Sequence, residues 1–195
     1  MTPAFVLGNG VSRQAIGLEQ LRPFGRIYGC NGLYRDFAPD CLVATDRPIA
    51  EAIQTSGYSA NHRFHTRKPL PNLGAQPVPK QYHGNSSGPI AVALAALDGN
   101  KRVYLLGFDM GPTQNKRFNN IYAGTDYYKG VDAAPTYTGN WVKQLATIAK
   151  DFPQTTFVRV CGETTADIRE LKVFSNFLHI TMPDFQSRLV TGQDL

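Results

Sequence analysis

The chain has 195 residues, 42% of them hydrophobic and 18% charged, with a formal net charge of +5. This composition excludes a disordered chain and suits one folded unit, residues 1–195, long enough to bury its own core. No apolar run approaches the ~20 residues of a membrane-spanning helix, and no basic stretch precedes a long apolar one at the N-terminus, so neither a span nor a signal peptide is expected.

The basic residues are scattered, and the densest cluster runs only from Arg63 to Lys68 with His62 and His65. The cluster reads as a solvated surface, and a phosphate-bearing small molecule would need only a local positive field. An extended nucleic-acid partner would need a basic stripe with interleaved aromatics, which the sequence lacks. Three cysteines, Cys30, Cys41 and Cys161, form an odd set without CxxC spacing. They point away from a disulfide scaffold or a zinc site and toward a reducing cytoplasm, and each reads as a small buried hydrophobe in or beside a strand.

Ala4 to Leu7 is a short apolar run closed at once by Gly8-Asn9-Gly10, with Ser12 in the position of a helix N-cap. A strand that ends in a glycine turn and opens a helix offers unpaired N–H groups to an anion, and glycine lets the ligand come close to the backbone. Residues 12–22 are expected to form that short helix. Arg26–Cys30 reads as a second strand ending at Asn31-Gly32, and 41–45 as a third ending at Asp46-Arg47-Pro48. Pro48 then starts a helix with Asp46 or Arg47 near its cap and Gly57 near its end. Residues 58–83 hold four prolines and read as a long loop, with a strand near Arg63 to Lys68 as its one regular piece.

The clearest unit follows. Ser86-Ser87-Gly88-Pro89 opens the run IAVALAAL, a helix start with proline in its first turn and a sequence apolar nearly all round. RVYLLGF at 102–108 is a central strand ending at Asp109, its continuous apolar run typical of a parallel sheet covered on both faces. Residues 110–138 are rich in Asn, Gly and Tyr and read as a second long loop. A helix at 141–152, a strand at 157–161, a short helix at 165–173 and a last strand at 177–181 complete the pattern. The alternation predicts an α/β fold: a Rossmann-like, mostly parallel sheet of six or seven strands with helices on both faces.

Ligands of such sheets bind at the carboxyl ends of the strands. Asn9, Asn31, Asp46, Asp109 and the Ser86-Ser87 helix start all fall there, and their amides, hydroxyls and glycines suit a ribose, a sugar and a phosphate.

In this order, GNGVS at 8–12, YGCN at 28–31, NSSG at 85–88 and VYLLGFDM at 103–110 resemble the bacterial family 42 sialyltransferases. A wider set of MptE-like proteins, including 6-hydroxymethylpterin diphosphokinase, shares the glycine turn and the late strand end. The resemblance covers roughly residues 4–160. It implies an enzyme that transfers a sugar from a nucleotide sugar, most simply a CMP-sugar, to a hydroxyl on a glycan or other acceptor. Asn9 and Asn31 would hold the donor phosphate and ribose, with Gly8 and Gly10 giving backbone access. Ser12 belongs to the same turn, and Ser86, Ser87 and Gly88 would embrace the nucleoside or sugar. Tyr122, Tyr127 and Tyr128 resemble the phenols that assist the leaving phosphate.

The family's general base is a histidine, and the corresponding stretch, Thr136 to Gly139, has none. The third-strand asparagine is replaced by Thr45 or Asp46, and the proline of the glycine turn by Val11. His83, just before Asn85-Ser86-Ser87, is the candidate substitute base; Asp46 or Asp109 could instead deprotonate an acceptor or hold Mg²⁺ on the nucleotide phosphates. Three readings follow: a sialyltransferase-like glycosyltransferase, a Mg-ATP-dependent pyrophosphokinase, and a binding or assembly protein that kept the fold. The chain also stops short of the family's C-terminal membrane-associating extension, so a minimal version is expected. Oligomeric state is left open.

Overall fold

The computed structural model describes residues 2–192 and residue 195. Eight strands form one sheet in the order β5-β4-β3-β2-β1-β6-β7-β8. They are β1 (Ala4–Leu7), β2 (Arg26–Cys30), β3 (Cys41–Val43), β4 (Phe64–Thr66), β5 (Gln76–Pro77), β6 (Arg102–Leu106), β7 (Thr156–Cys161) and β8 (Phe177–Thr181). Every pair is parallel, and β1 is flanked by β2 on one side and β6 on the other. The α/β, parallel, two-faced architecture matches the expectation, with one strand more than the upper count.

Alternation along the strands divides the core in two. Ala4, Val6, Tyr28, Val43, Val103 and Leu105 pack under helices α3 (Ser87–Leu97) and α4 (Gly139–Asp151). Phe5, Leu7, Ile27, Leu42, Leu106 and Val158 pack on the other face under α1 (Arg47–Thr55) and α6 (Met182–Thr191). Helix α3 is buried from Pro89 to Ala96, as its small apolar sequence requires. Two short helices, α2 (Tyr58–Asn61) and α5 (Arg169–Lys172), complete the set.

Four local expectations are corrected. Residues 58–83 are less of a loop than expected: besides β4, the strand read near Arg63 to Lys68, they contain α2 and β5, and β4 and β5 extend the sheet past β3. Proline is tolerated in β5 because that strand lies at the sheet edge. The helix expected at 12–22 is two 3₁₀ turns, Val11–Ala15 and Leu18–Leu21, broken where Ile16 becomes extended before Gly17. The helix expected at 165–173 shrinks to α5. Helix α6 had no counterpart in the reading, although Thr181 and Asp184 close a capping box around Met182-Pro183 at its start.

Candidate active site

The chain runs from β1 outward to β5, then crosses back to place β6 on the other side of β1. The carboxyl ends of β1 and β6 therefore diverge into a switch-point crevice, the usual ligand position in such sheets. A cavity of about 200 Å³ opens there, lined by the ends of β1, β2, β3 and β6 and by the start of α3. Its floor requires glycine. The N–H of Gly8 bonds Leu106 O at 2.8 Å, and that of Gly10 bonds Gly107 O at 2.9 Å. Gly107 has φ +70°, and a Cβ on Gly8 would lie 2.5 Å from Gly107 O.

Asp109 organises the site from below. Only 3% exposed, its carboxylate accepts from the Ser12 N–H at 3.1 Å and from the Ser12 hydroxyl. Asn119 Nδ2 at 3.1 Å, Thr164 Oγ1 at 2.7 Å and Thr165 Oγ1 at 3.4 Å complete its shell. The Val11 N–H goes to Asn119 Oδ1 at 2.9 Å. The donors of the first turn are thus taken by the protein's own carboxylate and amide. The anion cradle expected at the glycine turn is filled from within.

Free donors stand instead at α3. Ser86 is its N-cap without a side-chain cap bond, and among the described residues the N–H groups of Ser87 and Gly88 meet no acceptor. The Ser86 N–H is held by Gln144 Oε1 of α4 at 2.9 Å. Ser87 Oγ accepts from Thr45 N–H and lies 3.0 Å from Thr45 Oγ1, so it fastens the end of β3 to the helix. Arg67 lines the cavity beside this start; its guanidinium donates to His83 O and Asn85 O, each at 2.8 Å.

Asn9 is oriented by its neighbours. Buried Arg13 donates to Asn9 Oδ1 at 3.2 Å and to Gly8 O at 2.9 Å, and Asn9 Nδ2 donates to Cys30 O at 3.3 Å and Tyr128 Oη at 3.4 Å. Asn31 has φ +51°, a left-handed position that asparagine tolerates, and its Oδ1 is buried without a partner. Residues 110–138 carry neither helix nor strand and fold over the cavity as a lid. Asn119 and the Ile121 N–H, which bonds Asn9 O at 2.8 Å, pin its base.

Gly8, Asn9, Gly10, Asn31, Asp46, Ser86, Ser87, Gly88 and Asp109 all line this one cavity. Asp46 stands exposed at its rim, at the N-terminus of α1, and its side chain does not cap that helix. Ser12, His83, Tyr127 and Tyr128 do not line it. Ser12 is buried on Asp109, and His83 is exposed and contributes its carbonyl to Arg67. Tyr127 is 55% exposed, and Tyr128 sits behind Asn9 with its phenol accepting from Gly32 N–H at 2.8 Å. Tyr122 is buried, and burial pushes its phenol up to about 12. Asp109 accepts five hydrogen bonds from neutral donors, which leaves it no free lone pair for a metal. Among the described residues no group of three or more His, Cys, Asp or Glu could hold a metal ion.

Sequence reasoning missed Arg13, Arg159, Asn119 and Trp141, and knew Arg67 only as part of a basic cluster. Trp141 lines the cavity from α4. Arg159 is 1% exposed and donates to Phe108 O, Asp109 O and Ala166 O, each at 2.9 Å. Its signal was its place: an arginine inside the apolar run of a central strand has nowhere to go but inward.

Two histidines away from the cavity set an acid limit. Burial, then the Arg159 and Lys172 charges, lower His179 to about 4, with Asp167 opposing them. Burial also lowers His65, whose Nδ1 lies 3.0 Å from Pro77 O while Nε2 accepts from Arg63 Nε at 3.2 Å. The unfolded chain takes up protons near pH 6.5 and the folded one does not, so stability is complete above that pH and falls as pH drops toward 4. The urea midpoint is expected to fall between pH 6.5 and 4.5, with a shallower slope in His179→Gln. An unchanged slope in that variant would refute the assignment.

No protein-family model matches the chain, and no curated protein does. Solved structures do. The crystal structure of a tyrosine-to-phenylalanine variant of the sialyltransferase Cst-II in complex with CMP aligns over 96% of this chain and 98% of its own, at TM-score 0.52 and 13% identity. A phenylalanine-to-tyrosine variant of α-2,3/8-sialyltransferase CstII aligns over 80% of each chain, at TM-score 0.49 and 16% identity. The first of these alignments, at near-complete coverage of both chains, establishes a shared fold.

Proposed function

We propose that the chain is a sialyltransferase-like glycosyltransferase that binds a CMP-type nucleotide sugar in the switch-point cavity. The observation that carries this reading is the start of α3. Two unpaired N–H groups, the Ser86 hydroxyl and Arg67 converge there on a cavity lined by amides. Donors of that kind receive a phosphate and the growing negative charge of a leaving nucleotide. The Cst-II structure that shares the fold was solved with CMP.

In this reading the buried Asn31 Oδ1 accepts from a ribose or sugar hydroxyl. Asp46, exposed at the rim, takes the proton of the acceptor hydroxyl in place of a histidine. Tyr122 and Tyr128 support the floor behind Asn9, and Tyr127 has no direct part. The pyrophosphokinase reading asks Asp46 or Asp109 for a metal on the nucleotide phosphates; five donors oppose it at Asp109, and Asp46, exposed at the rim, is left to the Mg²⁺ arm of the test below. The placement of His62, His65, His83 and His179 outside the cavity lining favours a second reading, a nucleotide-binding protein without transfer.

A thermal-shift panel with CMP, UDP, GDP and ATP, each with and without Mg²⁺, tests the proposal. Ligand at about 100 times its Kd adds roughly 2.7 kcal/mol to native stability. For a chain of this size that raises the melting temperature by about 5–10 °C. A metal-independent shift with CMP, lost in Asn31→Ala, is the expected result. A shift with Mg-ATP alone would overturn the proposal. Asp46→Asn should keep the CMP shift and lose transfer; if wild type itself binds CMP and transfers nothing, the second reading stands.

A further inference from the structure

The 3₁₀ turn Asn31–Arg35 begins with a cavity residue and ends with an exposed arginine. The Arg35 guanidinium reaches across to the tip of the lid, donating to Thr125 Oγ1 at 2.8 Å and to Asp126 O at 2.9 Å. The centroids of Tyr122, Tyr127 and Tyr128 lie 5.9, 5.9 and 5.8 Å from it. No other cation gathers three rings in this way among the described residues. On the inner side, Tyr122 and Tyr128 rest on the backbone of Gly32, where a Cβ would come within 2.9 Å of Tyr128 Oη and 3.0 Å of the Tyr122 ring. Tyr128 Oη then accepts from Gly32 N–H and Asn9 Nδ2.

The lid is therefore fastened in two tiers. Its base is held by half-buried bonds to two buried residues, Asn119 to Asp109 and Ile121 to Asn9. Its tip is held from outside by one arginine, through contacts that are each weak in water and can be broken singly. Segments with exposed, low-energy ties open first.

We propose that Arg35 is the latch of this tip, a positioning residue that holds Tyr128 against Gly32 and against Asn9, which itself lines the cavity. The latch itself stands on the geometry of the free protein. Its effect on nucleotide exchange rests on the function proposed above.

Hydrogen exchange on the ligand-free protein tests the first part, comparing wild type, Arg35→Ala and Arg35→Lys. The Gly124 and Tyr128 amides bond Lys129 O and Thr125 O within the tip. In Arg35→Ala they are expected to exchange about tenfold faster, with β1 and β6 unchanged. Lysine keeps the charge and loses the planar fork, so Arg35→Lys should restore part of the protection. Stopped-flow displacement of CMP tests the second part: dissociation should quicken about tenfold in Arg35→Ala with little change in association. Unchanged exchange at the tip would overturn the proposal, and so would equal acceleration in the sheet. If wild type takes up no CMP, the nucleotide reading fails and the exchange experiment still decides the latch.

Discussion

Replacing Asp109 with alanine is expected to lower the thermal unfolding midpoint by about 10 °C. The carboxylate is 3% exposed and gathers the Ser12 turn, Asn119 of the lid, and Thr164 and Thr165 beyond β7. Alanine leaves these donors without their shared acceptor and unties three segments, at a cost of roughly 3–5 kcal/mol. A chain of this size loses about 2–4 °C per kcal/mol. An asparagine side chain at this position would keep one acceptor oxygen but turn an NH₂ toward hydroxyl and amide donors, so Asp109→Asn should show about half the loss. Differential scanning calorimetry checks both, and a shift below about 2 °C in the alanine variant would show that the network contributes little.

Arg159→Met is the second large effect. Methionine approaches the length of arginine and removes a buried charge whose pKa burial already lowers. Three carbonyls are left behind, those of Phe108, Asp109 and Ala166. Relief of the buried charge offsets part of that penalty, and the net cost is put at about 3 kcal/mol, or roughly 6–12 °C. Arg159→Lys should be nearly as damaging, because a single ammonium cannot span three carbonyls that a planar fork reaches together. Because Arg159 bonds the backbone of Asp109, the two substitutions should not add. A double-mutant cycle by urea unfolding is expected to give a coupling of about 0.5–3 kcal/mol. Simple additivity would mean that they belong to separate networks.

These two residues mark the border of what the sequence made legible. The strands at Ala4–Leu7, Arg26–Cys30 and Phe177–Thr181 were read with their observed bounds, because apolar runs between glycine and proline punctuation leave little choice. Strand β5 was hidden by prolines and polar residues at the sheet edge, where tertiary pairing outweighs propensity. The cavity residues were legible for a topological reason, since a parallel sheet gathers its strand ends wherever they lie in the chain.

What each residue does there was not legible. Ser12 and Asp109 meet across 97 positions, and no local pattern announces that a carboxylate fills the turn that seemed to await a ligand. Nothing local names the partners that Arg13 and Arg159 meet once the fold encloses them. Tyr127 and Tyr128 are neighbours in sequence, yet the left-handed backbone at Tyr127 sends one to solvent and the other behind Asn9.

The smallest strand has a consequence for the whole protein's colloidal behaviour. A sheet that ends in a row of free amides is a template on which other chains can polymerise. Strand β5 has two residues, and one of them, Pro77, has no amide hydrogen. The Pro77 carbonyl faces the His65 ring of the adjoining strand at 3.0 Å, and the following Val78 N–H is spent on Thr66 O. An incoming segment finds almost nothing to pair with along this border. Fibril-like growth is blocked there by covalent chemistry rather than by repulsive charge.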